Sequence, residues 1–204
     1  MSFIIFFQIF FVCLLGAMSP GPSMVVVINN AVFKNRYHGI LTSIGHGVGI
    51  TVYAIFAVIG IGLIIKTNVI IFNSIKLLSI IFLIYLGVKS IFSRNKINFE
   101  KKDLKGSVTS FFEGFSISIL NPKIFIWFVA IYSQFMSLNN EIIFNAYLVL
   151  TAGIVDTSWY VFLTFMATSK GFLNFIKSKN HILQKLIGYI FIILGILLLF
   201  GMYF

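Results

Sequence analysis

The sequence predicts an all-α integral membrane protein of six transmembrane helices arranged as a 3+3 inverted repeat. Three observations carry that expectation. Hydrophobic residues fill 59% of the 204 positions and charged residues only 10%, against roughly a quarter charged in an ordinary soluble domain. Long uncharged runs such as Phe3 to Phe33 and Leu186 to Phe204 reach the ~18 residues that a spanning helix needs. Helix-breaking residues recur about 100 positions apart, Pro20-Gly21-Pro22 inside one long run and Asn121-Pro122 inside another.

The spans read as 3–33, 39–65, 74–93, 108–138, 143–168 and 186–204 of a single transmembrane domain, with repeats over about 1–100 and 106–204. The first lacks the positively charged n-region of a signal peptide, and its apolar character resumes beyond Pro22, so it reads as a retained helix. As straight helices the first and fourth, about 31 residues each, would measure about 46 Å against a hydrocarbon core of ~30 Å. A proline near the middle of each predicts a break or a sharp kink. A second copy of a three-span unit must enter the membrane upside down, which makes the repeat an inverted one. Fainter echoes support it: Gly49-Ile-Thr-Val-Tyr53 lines up with Asp156-Thr-Ser-Trp-Tyr160, and Lys76-Leu-Leu with Lys185-Leu-Ile.

A net charge of +10 would suggest nucleic acid in a soluble chain, but here the basic residues sit in short segments between apolar runs. Lys34 and Arg36 fall in the first connection, Lys89, Arg94, Lys96, Lys101, Lys102 and Lys105 in or beside the third, and Lys170, Lys177, Lys179 and Lys185 in the fifth. The second and fourth carry only Lys66 and Lys76, and Lys123 lies inside a span. Positive charge accumulates on the cytoplasmic side, so both termini are expected outside, the bilayer is the expected partner and nucleic acid is not. Cys13 is the only cysteine, which excludes an internal disulfide, a CxxC redox pair and a cysteine-based metal cage by count. No HExxH, GxSxG, Walker A or DxDxDG pattern occurs, so neither an enzyme nor a cofactor is expected.

Backbone groups freed by a helix break in lipid cost several kcal/mol each unless they are buried in protein or line a wet cavity. Two matched breaks point to a transport site, in which the positive ends of the half-helices starting near Pro22 and Pro122 hold a substrate carboxylate. Asp156 sits at the centre of the fifth span, where an ionised carboxylate costs about 2.5–3.5 kcal/mol. Its functional reading is an ammonium ligand or a proton exchanger, and its structural one an ion pair with Lys123. Lys123 follows Pro122 in the first turn of a half-helix, where the macrodipole disfavours a cation, so it needs an anion or water nearby. Asp156, a substrate carboxylate and a lipid phosphate reached by snorkelling all qualify.

Gly45, Gly47 and Gly49 give the second span a face without side chains for close packing, and the Gly45/Gly49 match to GxxxG permits a homodimer without demanding one. His46, inside that cluster, reads first as hydrogen-bonded structure and second as a proton relay. Glu113, not far from Lys105, reads as an interfacial charge, with a gate as its second reading. Tyr37 and Tyr203 are interface anchors. The candidate pathway thus comprises Pro20, Gly21, Pro22, Asn121, Pro122, Lys123 and Asp156, joined by Gly49, Tyr53 and Tyr160 from the matched second and fifth spans.

With these residues in place, the chain resembles the LysE/RhtB family of amino-acid exporters. The matching features are Met18-Ser-Pro-Gly-Pro22, Gly45-His-Gly-Val-Gly49, Tyr85-Leu-Gly87, Phe112-Glu-Gly-Phe115, Leu120-Asn-Pro-Lys123 and Gln134-Phe135. The resemblance implies secondary-active export of amino acids or related zwitterionic metabolites across the bacterial cytoplasmic (inner) membrane, coupled to an ion gradient with H+ as the expected ion. It also implies a central site formed by Pro20, Gly21, Pro22, Asn121, Pro122, Lys123 and Asp156. Two departures are visible: Ile50 replaces the acidic residue that many relatives carry after the second-span glycines, and Ser133 the proline often found before Gln-Phe. The first favours neutral over basic substrates. A cation or heavy-metal exporter and a non-transporting membrane subunit are the competing readings, although one intramembrane carboxylate without a thiol cluster makes a poor transition-metal site.

Overall fold

The computed structural model describes residues 3–93, 106–138 and 141–203; Arg94, Lys96, Lys101, Lys102 and Lys105 of the third connection lie outside them. The described chain forms helices α1 (Phe3–Met18), α2 (Pro22–Asn29), α3 (Arg36–Thr67), α4 (Val69–Phe92), α5 (Ser107–Ile119), α6 (Pro122–Leu138), α7 (Ile142–Ala167) and α8 (Lys170–Tyr203). Four helices are long and apolar enough to cross a membrane, and six spans result when each bent pair counts as one. The bent pairs are the two expected from the prolines: α1 and α2 meet at 69°, α5 and α6 at 56°. Only 22% of the apolar window of α3 and 28% of that of α4 are buried inside the protein. That much outward apolar surface matches a lipid solvent.

Helix boundaries follow from capping groups. The Asn35 side chain accepts the His38 N–H at 3.1 Å to start α3, and the Asn68 side chain accepts the Ile71 N–H at 3.0 Å to start α4. Asn68 also donates its own N–H to the Ile64 carbonyl, so this one residue ends α3 and begins α4. The third span therefore starts earlier than the sequence suggested. Lys76 lies two turns into α4 and is buried, not in the connection. The last helix also begins well before Leu186, because Phe172, Leu173 and Ile176 form an apolar stripe that joins Met24, Val27, Ile28 and Leu163 in a second core cluster. A segment that looked like a charged connection is thereby held helical by packing.

Small residues set the helix spacing. A Cβ added to Gly45 would collide with the Phe111 carbonyl, and one on Gly114 with that of Thr42, so α3 and α5 touch backbone to backbone. On the neighbouring face, Gly47 lies against the Thr157 side chain and Gly153 against that of Thr51, bringing α7 onto α3. Gly87 and Gly188 seat α4 against α8: each faces the other's carbonyl, with Ile192 over the first and Ile91 over the second. The Gly45/Gly49 pair is thus occupied within the chain, where α5 covers it.

Gly45→Ala should lower the unfolding midpoint of the detergent-solubilised protein, by the equivalent of about 1–3 kcal/mol for an overpacked contact. Gly60→Ala, on the same helix with nothing within 4 Å of the new methyl, should leave the midpoint unchanged or raise it slightly.

Candidate functional site

Both breaks open onto one interior cavity of about 60 Å3. Its lining carries Ser19 and Gly21 from the first break, Asn121 and Lys123 from the second, and His46, Asp156 and Tyr160 from α3 and α7. The lining also includes apolar side chains, Ile50, Trp127, Phe128 and Ile131 among them. Of the residues expected from sequence, Gly21, Asn121, Lys123, Asp156 and Tyr160 line this cavity, whereas Pro20, Pro22, Pro122, Gly49 and Tyr53 do not. Pro22 and Pro122 are the first residues of α2 and α6. Gly49 lies where α3 meets Ser118 and Phe115 of α5.

Tyr53 has a specific task at the second break. Its hydroxyl donates to the carbonyl of Ile119, the last residue of α5, which loses its helical partner where the chain turns. The ring meanwhile stacks on Phe128 at 6.4 Å between centroids. At the other side of the turn, the Asn121 side chain accepts the Lys123 N–H at 3.1 Å and the Asn121 carbonyl accepts the Ile124 N–H at 3.0 Å. The first turn of α6 is therefore already capped. In contrast, α2 starts from extended Gly21 with no side-chain cap. The sequence placed two equivalent half-helix ends at the site; the structure leaves only the α2 end open to an anion.

Lys123 reaches across from the second break to the first, donating from Nζ to Ser19 Oγ, and its ammonium lies 5.5 Å over the Phe191 ring. It does not pair with Asp156, the structural alternative that sequence alone left open. The partner of Asp156 is His46: Nδ1–H donates to Oδ2 at 2.7 Å, with the two residues 1% and 5% exposed. An ionised carboxylate places a proton on Nδ1, leaving Nε2 an acceptor in the neutral imidazole and a donor in the imidazolium. That nitrogen is buried and has no hydrogen-bond partner among the described residues. Tyr160 holds the imidazole from the side, edge-on at 4.7 Å between ring centroids.

His46, which reads first from the sequence as hydrogen-bonded structure, is hydrogen-bonded as expected, but it also lines the cavity, where the sequence had not placed it. The signal was its place between two glycine faces, one turned to α5 and the other to α7, which brings an imidazole up to any carboxylate on the facing helix. Ser19 stood in the first proline motif with no role assigned, because only the bend brings it opposite Lys123.

A family model described as LysE type translocator matches residues 14–201, and the chain belongs to that family. It is 30% identical over 191 residues to the uncharacterized membrane protein YrhP of Bacillus subtilis, a match covering 87% of this chain and 90% of that protein. It is 25% identical over 181 residues to the leucine efflux protein of Salmonella typhimurium, covering 85% of this chain and 84% of the relative. No solved structure matches it.

Tyr53→Phe should destabilise the fold by about 1–3 kcal/mol, the cost of leaving a buried carbonyl unsatisfied. Hydrogen exchange should localise the loss, with faster exchange around the end of α5 and no change at the Gly87/Gly188 contact between α4 and α8.

Proposed function

We propose that this translocator is a secondary-active exporter of neutral amino acids, or related small zwitterions, with apolar side chains, driven by a proton gradient across the bacterial cytoplasmic membrane. The observation that carries the reading is one small cavity whose lining combines a lysine, a carboxyl group and apolar side chains. The open start of α2 and the Lys123 ammonium suit a substrate carboxylate. Asp156 suits its ammonium group. Trp127, Phe128, Ile50 and Ile131 suit a hydrocarbon side chain, in keeping with the name of the leucine efflux relatives.

Coupling follows from the His46–Asp156 pair. A proton arriving on the imidazole and an ammonium arriving beside the carboxylate compete for a single negative charge, which is the exchange that proton-driven export requires. Topology supports the direction: Lys34 and Arg36 at the start of α3 share a face with the end of α7, where Arg36 Nε donates to Thr168 Oγ1 at 3.0 Å. On the positive-inside rule that face is cytoplasmic and both termini are outside.

The reciprocal glycine contacts support an inverted repeat. Gly47 meets Thr157 as Gly153 meets Thr51, and Gly87 meets Ile192 as Gly188 meets Ile91, the pattern expected of helices related by a two-fold axis between them. On that register Ile50, not Gly49, is the counterpart of Asp156, one residue away from the alignment that the sequence suggested. Rocking of the halves about this axis would alternate access to the cavity.

In proteoliposomes loaded with a mixture of labelled amino acids, an imposed proton gradient should accelerate the loss of leucine-like substrates. Asp156→Asn should abolish that acceleration while the protein stays folded; undiminished coupled efflux from the variant would remove its assigned role. Lys123→Met should raise the half-saturating substrate concentration about 10- to 100-fold, the loss of one charge-assisted hydrogen bond of about 1.5–3 kcal/mol.

A further inference from the structure

A second cavity of about 200 Å3 lies between α2 and α5 on the cytoplasmic side of the breaks. It is larger than the central one, and consecutive residues of the second break line the two: Leu120 faces the inner cavity and Asn121 the central one. Along α2, likewise, Ser23 lines the central cavity and Val26 the inner one. The inner cavity therefore adjoins the central one at the breaks, on the side where an exporter must collect its substrate.

Its lining includes an ion pair, Lys34 with Glu113. Beyond α2 the chain widens into a single π-helical turn, Asn30–Lys34, closed by the Asn35 N–H on the Asn30 carbonyl at 3.2 Å. Asn30 and Lys34, four positions apart on one face of the turn, reach the same carboxylate oxygen. Asn30 Nδ2 donates to Glu113 Oε2 at 2.7 Å, and Lys34 Nζ lies 3.2 Å from it. Further hydrogen bonds tie this group to its surroundings: Lys34 Nζ donates to Ser110 Oγ at 3.1 Å, and Asn30 Nδ2 to Thr42 Oγ1 at 2.7 Å. The Lys34 side chain is only 3% exposed. Asn29, also on the cavity wall, has a buried Oδ1 without a hydrogen-bond partner among the described residues.

A partly buried ion pair of this kind is hard to open, because removing one partner strands the other charge away from water. A cation alone would satisfy Glu113 and abandon Lys34, and an anion alone would do the reverse. A zwitterion brings both replacements at once. We infer that the inner cavity is a loading site for a zwitterionic amino acid, whose carboxylate takes over Lys34 and whose ammonium takes over Glu113 and Asn29 Oδ1, so that binding itself opens the Lys34–Glu113 latch. This assignment rests on the exporter reading, gives Glu113 the gating role and makes the latch a filter for substrates carrying both charges.

Equilibrium binding of labelled L-leucine to the full chain in lipid nanodiscs tests it, with the central site weakened by Asp156→Asn. One saturable site should remain in that background, competed by L-isoleucine but not by L-leucinamide, which lacks the carboxylate, or by 4-methylpentanoate, which lacks the amine. Adding Glu113→Gln should weaken that site about tenfold or more. The pair Lys34→Met with Glu113→Gln leaves no stranded charge, so it should fold and also lack the site. The inference is overturned if the site survives both changes, if leucinamide or the acid competes as well as isoleucine, or if no saturable site exists in any folded variant. Failure of the exporter reading looks different: wild-type proteoliposomes would move no amino acid while leucine still bound at the inner site.

Discussion

In the middle of a bilayer a peptide group has no water to bond, and this chain interrupts two of its spanning helices there. The rest of the structure is arranged around that constraint. At the second interruption Tyr53 from α3 takes the carbonyl that α5 leaves behind, and Asn121 takes the amides at the head of α6. At the first, the Ser19 N–H returns to the Gly16 carbonyl at 3.2 Å, and Lys123 supplies a donor to the Ser19 hydroxyl. Each break thus depends on residues from elsewhere in the chain, so neither half-helix can be placed without the helices around it. The glycine faces of α3 make this feasible, because only backbone-to-backbone contact with α5 and α7 brings Tyr53 and His46 within reach of their partners.

The two breaks look alike in sequence and differ in chemistry. Asn121 precedes Pro122 and closes its own helix start, whereas Gly21 precedes Pro22 and has no side chain with which to do so. A single change of residue type therefore decides which half-helix keeps its positive end available. On the proposed repeat register a similar asymmetry separates Asp156, which is acidic, from Ile50, which is not.

Much of the frame was legible in the sequence. Run length gave the spans, and the prolines gave both bends. Boundaries were misread where tertiary contact outweighed composition: the lysines before Leu186 suggested a connection, yet Phe172 and Ile176 among them found a core to join, and Lys76 was assigned to a connection that Asn68 completes alone. Pairings across the chain were harder still. That Asp156 needs a donor follows from the cost of burying it; that the donor is His46 and not Lys123 depends on how α3 and α7 cross, which no local pattern encodes. The Lys34–Glu113 ion pair was hidden for the same reason, since it joins residues far apart in the chain.

The shortness of two connections limits how the molecule can move. Asn68 alone links α3 to α4, and Thr168 and Ser169 alone link α7 to α8. Because α3 starts at the face where α7 ends, these tethers lie on opposite faces, and the closely packed α4/α8 pair is pinned to the site-bearing helices at both. One extended residue covers only about 3.5 Å and two about 7 Å, while carrying a bound solute across by sliding requires travel over much of a ~30 Å core. Links this short hold the end of α3 to the start of α4 and the end of α7 to the start of α8, so at those ends the paired helices cannot slide far past one another.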